Sequence, residues 1–230
     1  MIFSIFNQKV FFLLAVFLAV FGFTTFLVEA QTTPEIWATW KASSYVPADF
    51  PGKAMPSEGT LVTTSFEVVD NGKFVNLAGY EIYWYLNDEL IKTGLGEQQV
   101  SFRVPTRGNH QIRIQVNDYN GANLVKTIEI PAIRPEAVIV APYARDSFSG
   151  SRIQVKAVPY FFNTAKPEKL NFSWKVNGQK PATTENISFL DISLGGETTD
   201  GYEININLSI SNPNNLLLSG STSKILTFQK

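Results

Sequence analysis

His110 is the only histidine in the chain, and there is no cysteine. Ser-His-Asp catalysis needs an imidazole as proton carrier, and zinc sites are built mainly from imidazole and thiolate ligands. Any triad would therefore run through His110. That residue shares parity with Ile112 and Ile114 in the alternating run "HQIRIQV", which makes it a rim or core-edge residue at the start of a strand. The chain has no Gly-x-Ser-x-Gly elbow and no phosphate-cradling Gly-Lys-Ser/Thr loop. "STSK" (Ser221 to Lys224) satisfies a bare Ser-x-x-Lys spacing, but it lies in the last expected strand without its partner motifs. Calcium would need clustered oxygens. Asp118 with Asn120, Asp70 with Asn71, and Glu197 with Asp200 are the candidates. All sit where Asp and Asn cap turns by bonding their own backbone, so turn chemistry is the expected role. No two carboxylates have a structural reason to face each other across a glycosidic bond. The expectation is a protein with no catalytic residue, no metal and no cofactor.

The remaining chemistry is aromatic. In "EIYWYLNDEL" (Glu81 to Leu90), parity puts Ile82, Trp84 and Leu86 on one face and Tyr83 and Tyr85 on the other. A later stretch, "NFSWKVNGQ", keeps the first set as Phe172, Trp174 and Val176 and replaces the second with Ser173 and Lys175. Trp84 and Trp174 are thus expected as core pins, while Tyr83 and Tyr85 face outward. Trp37 and Trp40 in "IWATW" point to opposite faces of a strand, so one of them is free for a surface role. Tyr45 and Phe50 sit in "SSYVPADFPGKAMPSEG" (Ser43 to Gly59), a long loop punctuated by Pro and Gly. "PYFFN" (Pro159 to Asn163) places three aromatics at a strand exit. Packing of each loop against a sandwich end is the expected role, with surface binding as the alternative, because aromatics dominate interfaces. The candidate binding residues are Tyr83, Tyr85, Trp37, Tyr45 and Phe50.

Period-two alternation supplies the elements that carry these residues. "QIRIQV", "RIQVKAV" and "YEININLSI" each set apolar side chains on one face and polar ones on the other, as half-buried antiparallel strands require. Asn71-Gly72 and Asn120-Gly121 separate such runs as hairpin turns, and Asn177-Gly178 follows "FSWKV" in the same style. "PAIRPE" (Pro131 to Glu136) is the linker candidate, because two prolines interrupt strand pairing. It divides the chain into modules at 32–132 and 135–230. The two pieces resemble each other, with Trp84 aligned on Trp174, Asn87 on Asn177, Phe102 on Phe189, Gly108 on Gly201 or nearby, and Ile112 on Ile204.

Residues 1–30 stand apart. Lys9 precedes an uncharged apolar run from Val10 to Val28, and small residues Val28 and Ala30 precede a possible cleavage before Gln31. This is the layout of a secretory signal, yet the run is long enough nearly to span a bilayer. Cleaved signal and N-terminal membrane anchor both stay open, and either places the rest outside the cytoplasm. That segment would engage the export machinery or the membrane. An exported chain without cysteine must stand on its core alone, which points to a prokaryotic envelope. The sequons at Asn171, Asn186 and Asn207 would matter only in a glycosylating host. A formal net charge of −1 leaves no electrostatic footprint for nucleic acid.

The Trp on a middle strand, the late run through Gly108, His110, Ile112, Ile114 and Val116, and the turn at Asp118 and Gly121 together resemble immunoglobulin-like and PKD-type β-sandwich modules. The second copy keeps Gly201, Tyr202, Ile204, Ile206 and Leu208 but ends in "SNPNN". Two departures stand out: Asn87-Asp88 and Asn177-Gly178 replace the Gly-Asp-Gly turn, and the antibody disulfide is absent. The resemblance implies an all-β protein of two consecutive immunoglobulin-like antiparallel sandwiches. It also implies a non-enzymatic structural, adhesion or assembly module whose partner is an envelope protein or a glycan. The alternative is an accessory carbohydrate-binding module using the outward aromatics of the first domain.

Overall fold

The computed structural model describes residues 33–181, 188–196 and 198–230. The export segment, Asn186 and Glu197 lie outside the described residues. The first half contains β1 (Glu35–Ala42), β2 (Leu61–Asp70), β3 (Lys73–Phe74), β4 (Glu81–Leu86), β5 (Glu89–Leu95), β6 (Gln99–Arg103), β7 (Gly108–Tyr119) and β8 (Ala122–Ala132). The second contains β9 (Glu136–Val140), β10 (Ser147–Phe148), β11 (Arg152–Tyr160), β12 (Asn171–Val176), β13 (Phe189–Ser193), β14 (Glu203–Asn212) and β15 (Asn215–Phe228). Among the described residues the only helical pieces are two 3-10 turns, Ala144–Asp146 and Pro167–Lys169. None of the described helices is long and apolar enough to cross a membrane.

In the first half, β2 pairs with β1 on one side and with β6 and β3 on the other, while β5-β4-β7-β8 form the opposing sheet. In the second, β13-β11-β9 face β10-β15-β14-β12. Each half therefore sends three strands to one sheet, β1, β2 and β6 or β9, β11 and β13, and its central Trp strand and last hairpin to the other. That exchange between two sheets defines the immunoglobulin-like plan. The described chain is a tandem pair of immunoglobulin-like β-sandwiches.

The alternation seen in the sequence builds two separate cores. Ile112, Ile114 and Val116 are fully buried in the first, and Ile204, Ile206, Leu208 and Ile210 are buried in the second. Each such side chain contributes roughly 1.5–3 kcal/mol by leaving water. Trp84 is wholly buried, packs edge-on against Phe66 at 5.4 Å, and donates from Nε1 to the Glu97 carbonyl at 2.7 Å. Trp174 occupies the matching place in the second core, opposite Leu208. The turns follow the chemistry expected of them. Asn71-Gly72, Asn120-Gly121 and Asn177-Gly178 all take left-handed φ at both central residues, as type I′ hairpins demand.

Two alignments between the halves need correction. Trp84 lies opposite Ile114 and Trp174 opposite Leu208, so Ile112 corresponds to Ile206 and His110 to Ile204. A slip of two residues preserves the in-out pattern, so alternation alone could not detect it. Phe102 is buried, whereas Phe189 sits one place off the buried Leu190 and leans outward under Lys156. The shared Phe in those two strands is a coincidence of type, with opposite facing.

Pro131 lies inside β8 opposite Asn109, on an edge strand where a missing N–H costs no ladder bond. The stretch between the last strand of one core and the first of the next is thus Ile133–Pro135. Beyond it, Gly220 of β15 passes so close to the chain that a Cβ there would lie 2.8 Å from the Pro135 carbonyl oxygen and the Ala137 nitrogen. Only glycine lets β15 and the start of β9 approach this closely.

Candidate functional site

The five aromatic candidates fall in three places. Tyr45 and Phe50 are on the loop between β1 and β2, which leaves the first sandwich and docks onto the exit of β11. The Tyr45 amide donates to the Phe162 carbonyl at 2.8 Å, and the Phe161 amide donates to the Tyr45 carbonyl at 2.7 Å. Phe50 stands edge-on to both Tyr160 and Phe161, with ring centroids 5.6 and 5.7 Å away. Asn163 Nδ2 donates to the Glu58 carbonyl at 3.2 Å, and Asn163 Oδ1 accepts from Asn212 Nδ2 at 2.9 Å. The Ile133 amide donates to the Pro56 carbonyl at 2.9 Å, so the loop also holds the linker. Tyr45 and Phe50 are therefore parts of a junction between the two sandwiches. The two loops that form it, "SSYVPADFPGKAMPSEG" and "PYFFN", were both conspicuous in the sequence. Their pairing was not, because contacts between distant loops leave no periodic trace.

The loop is stiffened from within. Ser44 Oγ donates to the Met55 carbonyl at 2.7 Å, and the Ser57 amide donates to Thr60 Oγ1 at 3.1 Å. Gly59 and Val104 close its base through a 2.8 Å bond. Phe161 takes the left-handed conformation, with φ at 61°, which costs a non-glycine residue on the order of 1 kcal/mol or more. Burial of the Phe161 and Phe162 side chains and the two bonds to Tyr45 offset that strain.

Tyr83 and Tyr85 occupy the outer face of β4, next to Gln115 and Arg113 of β7. The Tyr85 ring is covered. The Arg113 guanidinium lies 3.7 Å over the Tyr85 ring and points towards Asp88, 3.7 Å away. The neighbouring Glu81 carboxylate, followed by burial, pushes the Tyr83 phenol above its usual pKa. Arg113 was not among the expected residues, although its parity in "QIRIQV" already placed it on this face.

Trp37 lies on the other sheet. It is 56% exposed, meets Phe74 (69% exposed) edge-on at 6.3 Å, and donates from Nε1 to Glu35 Oε2 at 3.0 Å. Its strand neighbour Trp40 turns inward, with Lys53 Nζ 3.4 Å over the ring. Trp37 is thus on the face opposite Tyr83 and Tyr85, and the structure brings none of the three groups together.

His110 is 4% exposed and occupied on both sides. Nε2 lies 2.7 Å from the Thr106 carbonyl, which can only accept, so this nitrogen carries the proton. Nδ1 then accepts from Asn87 Nδ2 at 3.0 Å. Asn87 is oriented by its own bonds, with Oδ1 accepting from the Gln111 amide at 3.0 Å. Asn177 repeats this device in the second half, accepting from the Asn205 amide at 2.9 Å. The Trp-x-x-Asn repeat thus has a physical reason: each Asn fastens the turn after the central strand to the start of β7 or β14. The oxygens of Asp70 are also engaged, by Asn71 Nδ2 at 3.0 Å and by the Tyr119 hydroxyl at 2.7 Å. The Asp118 amide bonds Asn123 Oδ1 at 3.0 Å within the turn. Among the described residues no three His, Cys, Asp or Glu side chains converge.

No family model and no curated protein matches the sequence. Among solved structures, the chain is similar to the fibronectin(III)-like modules of CbhA from Clostridium thermocellum. That pair has 11% identity and a TM-score of 0.30, covering 83% of this chain and 94% of the other. It is also similar to three N-terminal domains of the highly immunogenic outer capsid protein of bacteriophage RB49. Identity there is 11% and the TM-score 0.42, over 85% of this chain and 59% of that one. A third is the SGBP-B protein of a Bacteroides ovatus mixed-linkage glucan utilization locus, solved with a mixed-linkage heptasaccharide. It has 9% identity and a TM-score of 0.28, covering 86% of this chain and 48% of the other. With scores this low, the assignment of fold rests on strand order and pairing.

Proposed function

We propose that this chain is a non-enzymatic, extracytoplasmic structural or adhesion module of a prokaryotic cell envelope. The observation that carries the reading is the junction around Tyr45, Phe50 and Phe161. Neighbouring domains in one chain move relative to each other unless their interface is substantial. Here reciprocal backbone bonds and a half-buried aromatic cluster join the sandwiches, as suits a unit that must hold two modules at a set angle. The layout of residues 1–30 supports export, with the segment engaging the translocation machinery or the membrane. His110 is committed to holding Thr106 and Asn87, which supports a role without catalysis.

The partner is an envelope protein or a glycan. A pull-down from intact envelopes with the full-length chain, run beside a glycan array, tests this. Retention of a defined protein or glycan supports adhesion, and two empty results leave a spacer. A turnover activity abolished by His110→Ala in a folded variant overturns the non-enzymatic reading. A second reading, an accessory carbohydrate-binding module, is favoured by the solvent-exposed indole of Trp37.

A further inference from the structure

The two sandwiches differ at one equivalent place, the end where the central strand turns back beside the start of β7 or β14. In the first, buried His110 fills that end and ties it to the Thr106 carbonyl. In the second, Ile204 stands at the His110 position, and a cavity of about 450 Å³ opens there. This lies within the ~300–1,000 Å³ range of small-molecule sites. Val176, Ile192 and Leu194 give it an aliphatic floor, and Asn177, Thr199 and Tyr202 give it a polar and aromatic rim.

The rim is held in place before any ligand arrives. Tyr202 is 41% exposed, and its hydroxyl accepts from Asn177 Nδ2 at 3.3 Å. Its amide donates to the Thr199 carbonyl at 3.2 Å, and its carbonyl accepts from the Phe228 amide at 2.9 Å. Asn177 is fixed in turn by exchange with Asn205, donating its amide at 2.8 Å and accepting through Oδ1 at 2.9 Å. The ring therefore offers a positioned aromatic wall.

We infer that this cavity binds a neutral saccharide. The described residues that line it are uncharged and offer hydrogen-bonding and apolar surface side by side. A purely apolar ligand would strip water from the Asn177 amide and the threonine hydroxyls without replacing their hydrogen bonds. A pyranose satisfies both surfaces. Its C–H face lies on Tyr202 and the aliphatic floor, and its hydroxyl edge meets the amide and hydroxyl groups. The inference rests on the carbohydrate-binding reading above and moves its site from the outward aromatics of the first sandwich to the second.

The test uses the full-length chain and calorimetric titration with glucose, galactose, N-acetylglucosamine and their disaccharides. Binding of at least one is expected. Tyr202→Ala should weaken it about tenfold or more, and Trp37→Ala and the double variant Tyr83→Ala, Tyr85→Ala should leave it unchanged. Thr198→Arg, which puts a long charged side chain on the cavity lining, should block it too. It keeps the test alive if circular dichroism shows Tyr202→Ala unfolded. Binding that survives both cavity variants but is lost in Trp37→Ala or the double tyrosine variant overturns this site while leaving the saccharide reading intact. No binding of any neutral saccharide overturns both.

Discussion

The Phe161 amide donates to the Tyr45 carbonyl at 2.7 Å, joining the exit of β11 to the loop between β1 and β2. Phe161 adopts φ of 61° to do so. A bulky residue holds such a conformation only where its surroundings over-determine it. The surroundings here are Phe50, the Tyr45 backbone and the Asn163–Asn212 side-chain pair, so the junction is a built feature of the pair of sandwiches.

Phe50→Ala removes the ring that faces Tyr160 and Phe161. It should lower the stability of the junction by about 1–3 kcal/mol while both cores stay folded. Calorimetry of the variant should resolve two transitions where the parent melts more cooperatively. Limited proteolysis should then cut at Ile133–Pro135, which Pro56 no longer shelters as well.

Asn87→Ala should cost more than Asn177→Ala. The first leaves buried His110 Nδ1 and the Gln111 amide without partners, whereas the second strands the Asn205 amide and the exposed Tyr202 hydroxyl. An unsatisfied buried group costs about 1–3 kcal/mol. Urea unfolding of the two variants measures the difference, and equal costs would contradict the assigned role of His110.

Tyr119 makes the fold sensitive to alkali. Its hydrogen bond to Asp70, followed by burial, pushes the phenol up to about 12. The folded pKa is raised above the unfolded one, so this contribution is complete below about pH 10 and is lost as the pH climbs from 10 towards 12. Thermal unfolding should fall more steeply across that window in the parent than in Tyr119→Phe, which has no phenol proton to lose at this site.

Thr64 of β2 is fully buried, and among the described residues its Oγ1 has no hydrogen-bond partner. Thr64→Val replaces that hydroxyl with a methyl of similar shape. The variant should gain about 1 kcal/mol or more, read as a higher urea midpoint at an unchanged slope.

Gly220→Ala should destabilise the second sandwich by about 1–3 kcal/mol, because its Cβ would press on the backbone of Pro135 and Ala137. Gly178→Ala is a useful contrast. Its Cβ meets nothing within 4 Å, so only the left-handed turn at φ 82° opposes it.

The sequence by itself determined the strands, their inward faces and several of their turns. Period-two alternation is a local property, and burial of one face follows from it wherever two sheets meet. It separated Trp84 from Tyr83 and Tyr85, and Trp37 from Trp40, because facing depends only on parity. The Asn-Gly pairs marked hairpins because few other residues accept left-handed φ. Tertiary structure alone decided what alternation cannot encode. The true register between the halves, with Ile112 on Ile206, escaped because a shift of two residues leaves every facing unchanged. The union of Tyr45 and Phe50 with Phe161 and Phe162 escaped because the partners lie far apart in the chain and meet only once both sandwiches exist. The cavity beside Tyr202 escaped for the same reason: its lining comes from three separate stretches, around Val176, Ile192 and Tyr202, that meet only in the folded sandwich.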